Sequence, residues 1–301
     1  MDAVILTEQL TKQYGQRRGL DGLNLVVQPG EVFGFLGPNG AGKTTTIRLL
    51  LDLLRPTSGT VRLFGQEPQA GGIALRQRVG YLPGDFVVNT NQRVREFLTY
   101  AANLRGCVPW NRVEHLAERL GLDLTARIRS LSKGNRQKVG LVQALMHEPE
   151  LLILDEPTSG LDPLVQQAFV TLVREARTKG QTVFLSSHML NEVQQTADRI
   201  GIIREGRLVA VEQVEDLRQR AVALVTITFA GPVPAEPFER LPEVHDLQLE
   251  GPVLRCRLAG SADGLIKAAA QFTVQHIQSA EPSLEDLFFA YYRSEEAIHA
   301  A

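Results

Sequence analysis

The chain has 301 residues, with 32 Lys and Arg against 34 Asp and Glu, a formal net charge of −2. That length suggests about two domains, each with a core of its own, and 44 % hydrophobic with 22 % charged residues is the balance of an ordinary globular protein. The near-neutral charge excludes a general attraction to DNA, RNA or anionic lipid, so no nucleic-acid partner is expected.

No apolar run approaches the roughly 20 residues needed to span a bilayer, and the opening Met1-Asp2-Ala3-Val4 lacks the layout of a secretory signal. The expectation is a cytoplasmic chain that relies on another polypeptide for any membrane span. Cys107 and Cys256 lie far apart without metal-ligand spacing and are read as thiols.

Glu31 to Leu36 is a short apolar run of buried-strand type, and Thr45 to Leu54 is a Leu-rich helix stopped by Pro56 and Gly59. Between them stand Gly37, Pro38, Asn39, Gly40, Ala41, Gly42, Lys43 and Thr44, followed by Thr45. This matches the full pattern G-x-x-x-x-G-K-[ST], which chance would produce in only about 1 % of chains of this length. Strand, Gly-rich turn and helix together aim a helix N-terminus at phosphate. Gly40 and Gly42 let the backbone approach closely, Lys43 reaches β- and γ-phosphates, and the Thr44 hydroxyl can ligate Mg²⁺. A bound nucleoside triphosphate follows.

Further along, Leu131-Ser132-Lys133-Gly134-Asn135 opens a helix whose apolar positions are Val139, Val142, Leu145 and Met146. Ser132, Gly134 and that helix start form a second phosphate-seeking surface, and one chain cannot easily apply both surfaces to one γ-phosphate. Leu151 to Leu154 is a strand that delivers Asp155 and Glu156 to its end; Asp155 can hold the Mg²⁺ shell, and Glu156 can orient or deprotonate an attacking water. Pro163 sits at the first position of a helix whose apolar stripe is Leu164, Ala168, Phe169, Leu172, Val173 and Ala176, with Gly180 placed to end it. Thr182 to Ser186 is another strand, and Ile200–Arg204 with Arg207–Val211 reads as a hairpin about Glu205-Gly206. Alternating strands and helices argue for a mostly parallel α/β sheet.

A charged stretch from Glu212 to Arg220 precedes a different texture. Val225, Ile227 and Phe229 alternate, as do Leu254, Cys256 and Leu258; Ala262 to Gln271 reads as helix and Val274 to Ile277 as strand. Residues 221–301 are therefore read as a separate small α+β domain.

In this order and company the motifs resemble those of the ABC (ATP-binding cassette) ATPases, over about residues 1–215. The resemblance implies a P-loop NTPase fold with a mostly parallel core sheet, an antiparallel β subdomain and a helical subdomain. It also implies ATP and Mg²⁺, and two subunits, a second copy or a related ATPase, meeting head to tail. ATP is then held between the loop of one subunit and Ser132, Gly134 and Asn135 of the other. Ser159 to Asp162 resembles the loop that crosses the interface. His188 resembles the switch histidine that contacts the γ-phosphate and Glu156, and Tyr14 the aromatic that stacks on adenine.

The sequence departs from the pattern in Val79 to Asp85, where Gly84 stands at the usual glutamine; Asp85 is the candidate to replace its contact with Mg²⁺. Lys133 and Asn135 also differ from the commonest residues. Pro282 to Phe288 is similar to the tail of exporter ATPases of the drug and antibiotic-resistance branch. The expectation is the ATPase subunit of an exporter at the cytoplasmic face of the cell membrane, driving a separately encoded polytopic permease through the surface around residues 85–110. Two alternatives remain at this level. A soluble member acting on ribosomes or DNA would usually carry two cassettes or a long coiled-coil insertion. A regulatory cassette that binds ATP without hydrolysing it is opposed by Lys43, Asp155, Glu156 and His188.

Overall fold

The computed structural model describes residues 3–15, 17–88, 91–106, 108–216 and 222–280. Cys107 and the tail motif Pro282–Phe288 lie outside the described residues. The chain forms two compact units that divide between Val214 and Glu215.

The first unit contains two sheets. Strands β1 (Ile5–Tyr14), β2 (Arg17–Val27) and β4 (Ser58–Leu63) form an antiparallel sheet with β1 central. The larger sheet has the order β5-β6-β7-β3-β8-β9, from β3 (Val32–Leu36), β5 (Val79–Leu82), β6 (Leu151–Asp155), β7 (Thr182–Ser187), β8 (Arg199–Arg204) and β9 (Arg207–Gln213). Its first five strands pair in parallel, and β9 returns antiparallel through the hairpin at Glu205-Gly206, both at positive φ (50° and 81°) as a tight two-residue turn requires. Strands β3 and β6 are buried at every position, the continuous apolar texture of parallel strands covered on both faces. Phe33 and Phe184 stack across the β3–β7 pair at 5.9 Å.

The helices are α1 (Lys43–Leu50), α2 (Pro68–Gln77), α3 (Val94–Leu104), α4 (Trp110–Arg119), α5 (Lys133–Leu145), α6 (Pro163–Thr178) and α7 (Leu190–Gln194). Two expectations are corrected here. Helix α1 starts at Lys43 rather than Thr45 and ends at Leu50 rather than Leu54, because Asp52 turns to φ 57° and breaks the ladder. On α6 the inward residue of the first turn is Val165; Leu164 points out, 77 % exposed, one 100° step away from the buried stripe of Phe169, Leu172, Val173 and Ala176.

The second unit reads β10 (Val222–Phe229), α8 (Glu236–Glu239), β11 (Val244–Glu250), β12 (Val253–Ala259), α9 (Asp263–Ala269) and β13 (Val274–Ala280). This is a β-α-β-β-α-β unit with antiparallel order β11-β12-β10-β13. Val225, Ile227, Phe229, Leu254, Cys256 and Leu258 line the face that packs on Phe238, Leu265, Ala268 and Ala269. Cys256 is a buried free thiol, its pKa raised by that burial.

Candidate active site

In a parallel sheet every strand ends at the same edge, and chemistry collects there. Here the carboxyl ends of β3, β6 and β7 deliver the 37–45 loop, Asp155-Glu156 and His188 to one place. The loop turns at Gly40 and Gly42; Gly42 has φ +114°, a conformation that side-chain-bearing residues rarely adopt. It directs the N-terminus of α1 into a cleft of about 470 Å³ lined by Tyr14, Arg18, Gly19, Pro38, Asn39, Gly40, Gly42, Lys43, Thr44, Thr45, Arg48 and Glu156. Gly37 and Ala41 complete the loop, and the Ala41 side chain is buried beneath it.

Lys43 is 6 % exposed, and its Nζ donates to the Gly37 and Pro38 carbonyls at 2.5 and 3.3 Å. It lies 3.1 Å from Glu156 Oε1. The other oxygen, Oε2, is 2.7 Å from His188 Nδ1; a carboxylate only accepts, so His188 donates from Nδ1. Glu156 sits at φ 48°, a left-handed conformation that costs a side-chain-bearing residue roughly 1–2 kcal/mol. Buried Gln137 of α5 steadies this turn by donating Nε2 to the Glu156 and Pro157 carbonyls at 3.2 and 3.3 Å.

Asp155, 1 % exposed, accepts from Thr44 Oγ1 at 2.9 Å and from Ser186 Oγ at 2.5 Å. A Cβ on Gly84 would lie 3.3 Å from Asp155 Oδ2, so position 84 faces this carboxylate with no side chain to offer it. The Asp85 carboxylate is exposed.

Ser132, Gly134, Asn135 and Asp162 are not among the residues lining the cleft. Ser132 caps α5, accepting the Asn135 N–H at 3.2 Å, and Asp162 caps α6 through Val165 N–H at 3.0 Å. The two segments touch each other: a Cβ on Gly134 would stand 2.3 Å from the Gly160 carbonyl oxygen, and Lys133 Nζ donates to Ser159 Oγ at 3.3 Å.

A phosphate-wrapping loop, a buried lysine and a hydroxyl–carboxylate pair can hold a triphosphate; a carboxylate within reach of the loop's lysine can orient a water on it. The sequence agrees with known proteins on this point. The family model described as ABC transporter matches residues 20–159. The bacitracin transport ATP-binding protein BcrA of Bacillus licheniformis is 36 % identical over 299 residues, covering 96 % of this chain and 97 % of that protein. This chain belongs to the ATP-binding subunits of ABC transporters. It binds ATP and hydrolyses it.

The Nod factor export ATP-binding protein I of Paraburkholderia xenovorans is also similar, 34 % identical over 302 residues, or 95 % of this chain and 96 % of that one. Among solved structures, an ATP-binding subunit of an ABC transporter superposes with a TM-score of 0.67 at 31 % identity, covering 71 % of this chain and 92 % of that chain.

Three cleft residues of this ABC ATPase escaped the sequence reading: Arg18, Gly19 and Arg48. The signal for Arg48 was its position four residues after Thr44, one turn along the same helix face. For Gly19 it was pairing: a Cβ there would meet the Tyr14 ring at 2.6 Å, so the aromatic needs a glycine beside it. His115 is exposed on α4, and half-buried His147 bonds the Val79 carbonyl at 3.3 Å; neither belongs to the site. Trp110 is held by Glu114, its Nε1 donating at 2.7 Å, and by the Arg95 guanidinium 4.8 Å from its ring centroid.

Proposed function

We propose that this subunit powers export of a substrate through a separately encoded membrane permease, as part of a head-to-tail pair of ATPase subunits. The linked groups Thr44–Asp155 and Lys43–Glu156–His188 at one sheet edge are the observation that carries the catalytic part. Thr44 Oγ1 and Asp155 Oδ2 are hard oxygen donors already 2.9 Å apart, which suits Mg²⁺, an ion that takes one or two protein ligands and fills its shell with water and phosphate. Bound there, the ion would neutralise phosphate charge.

The protein's own residues do the rest. Backbone amides of residues 37–45 and the Lys43 ammonium hold the phosphates in line. Tyr14, 43 % exposed at the cleft mouth, offers its ring to the base. Glu156 keeps free lone pairs despite its contacts with Lys43 and His188, and with these it accepts a proton from the attacking water. His188 holds the Glu156 carboxylate in place by donating from Nδ1.

Pairing of subunits is supported by the position of Ser132, Gly134 and Asn135 outside the cleft lining: the first turn of α5 holds no acidic residue, and a second subunit's ATP would supply an anion there. The Gly134–Gly160 and Lys133–Ser159 contacts make this surface and the 159–162 loop one piece, so both would meet the partner together.

The permease contact is supported by exposed apolar residues within or near 85–110: Val87, Tyr100 and Leu104 are 69, 60 and 65 % exposed, with Leu53 and Ile73 also outward. No helix among the described residues is long and apolar enough to cross a membrane, so a membrane partner would carry the spans. Export is supported by the names of similar proteins, which concern bacitracin transport and Nod factor export.

The replacement Glu156→Gln tests the reading. It keeps the shape and removes the base, so kcat should fall about 10²–10⁴-fold while ATP still binds. Ordinary turnover in that variant, measured as steady-state phosphate release, would remove Glu156 from its role.

A further inference from the structure

Ser186 is a buried polar side chain at the catalytic edge to which no role has been given. It stands in register with Asp155 across the parallel β6–β7 pair, so the two side chains project from the same face. Both are closed to solvent, at 0 and 1 % exposure. The Ser186 hydroxyl makes two bonds. It donates to Asp155 Oδ1 at 2.5 Å and accepts the Glu156 N–H at 3.1 Å. A hydroxyl has a single proton, a carboxylate can only accept and an amide N–H can only donate, so the direction of both bonds is fixed. The same Glu156 N–H also points at the Ser186 carbonyl, 3.2 Å away.

We propose that Ser186 is a positioning residue that sets the two acidic groups of the site relative to each other. By occupying Oδ1, it leaves Asp155 Oδ2 turned toward Thr44 Oγ1, 2.9 Å away, where the donor pair for a divalent cation forms. By holding the Glu156 amide it supports the left-handed backbone at φ 48° that sends the Glu156 side chain back toward Lys43 and His188. One hydroxyl thus couples the cation-holding carboxylate to the proton-accepting one. An alanine at 186 would leave Asp155 Oδ1 buried without its donor and free the carboxylate to rotate. Gly84, which presents no side chain to the same carboxylate, makes Ser186 and Thr44 its only hydrogen-bond donors among the described residues. The inference rests on the roles proposed above for Asp155 and Glu156.

The test uses the full-length chain and two variants, Ser186→Ala and Ser186→Thr. Two measurements are made: steady-state hydrolysis, and Mn²⁺ half-saturation read by electron paramagnetic resonance with a non-hydrolysable triphosphate. Loss of a group that orients a cation ligand typically costs 10–100-fold in metal affinity or activity. Ser186→Ala should therefore lose about 10–100-fold in kcat and raise the Mn²⁺ half-saturation about 10-fold or more. KM for the nucleotide should move by less than about threefold, because Lys43 and the loop are untouched. Ser186→Thr keeps the hydroxyl and should recover most of both losses.

Thermal unfolding separates this from simple damage: a folded Ser186→Ala with unchanged kcat and Mn²⁺ half-saturation overturns the proposal. So does a folded Ser186→Thr as impaired as the alanine variant. Glu156→Gln is run alongside. Turnover surviving there would sink the role of Glu156 instead, while the Mn²⁺ measurement, made without hydrolysis, still decides the role of Ser186.

Discussion

The six-stranded sheet of the first unit and the four-stranded sheet of the second bury similar residues and do different things. In the six-stranded sheet of the first unit, parallel strands are apolar on both faces, and the polar side chains Asp155, Ser186 and Ser187 appear where the strands stop. In the four-stranded sheet of the second unit, antiparallel strands alternate: Leu254, Cys256 and Leu258 face in, Arg255 and Arg257 face out. An antiparallel sheet sends successive strand ends to opposite edges and spreads its polar residues over a face. A parallel sheet sends them to one edge, which is where a triphosphate can be met by several groups at once. The difference lies in strand direction more than in composition, and it explains why the described cleft residues gather at an edge of the parallel sheet.

The largest effect that can test this division is the loss of the second unit's aromatic centre. Phe238, fully buried on α8, lies 5.9 Å from Phe229 and 6.1 Å from Phe272. Phe238→Ala should cost that unit about 3–5 kcal/mol, a large share of what a small domain has. Near-ultraviolet circular dichroism and limited proteolysis would register its unfolding. ATP hydrolysis by the purified protein should stay within about twofold of the parent, since the described residues that line the cleft all belong to the first unit. A parallel loss of hydrolysis would show that the division of labour drawn here is wrong.

A smaller effect is expected at Tyr14, which belongs to the antiparallel sheet of the first unit and supplies its one aromatic ring to the cleft. Tyr14→Ala should raise the KM for ATP about fivefold, equivalent to about 1 kcal/mol of stacking, with kcat nearly unchanged. Tyr14→Phe should stay within about twofold, because the ring and not the hydroxyl is used. Since stacking leaves the edges of the base unread, the ratio of ATP to GTP hydrolysis should be the same in all three proteins. A kcat loss without a KM change would move Tyr14 out of the binding role.

What could be read in advance follows the same line. The loop from Gly37 to Thr45 and the pair Asp155-Glu156 were legible because phosphate chemistry demands those residue types at fixed spacing. The core alternation of Val225, Ile227 and Phe229 was legible because burial demands a period of two. Ser186 was not, since a serine at the end of an apolar strand looks like a strand terminus until β6 is laid beside β7 and Asp155 falls opposite it. Leu164 misled for the opposite reason: apolarity alone does not say which side of a first helical turn faces inward, and Val165 took the buried place. The order β11-β12-β10-β13 was also out of reach, because it depends on pairings between strands far apart in the chain.

The smallest effect concerns acid, and it separates the units by their histidines. His245 and His276 of the second unit are exposed. His147 of the first is half-buried, donates to the Val79 carbonyl at 3.3 Å, and has its pKa pushed down to about 4, mainly by burial and then by the Arg105 charge. A base with a depressed pKa is neutral when folded, so between about pH 6.5 and 4 the unfolded chain binds the extra proton. Stability contributed by His147 is therefore complete above pH 6.5 and declines as the pH falls toward 4. Neighbouring Glu148 acts in a lower window. Arg112 and Lys179 hold its pKa at about 2, so its contribution is complete above pH 4.5 and is lost as the pH falls toward 2. Urea midpoints of the first unit should thus rise modestly from pH 4.5 to 6.5 and then level. In His147→Gln that rise should shrink while the change below pH 4.5 remains, because glutamine can still donate to the Val79 carbonyl but cannot take up the proton. A slope unchanged by the substitution would mean that the acid sensitivity of this unit arises elsewhere than at the buried imidazole.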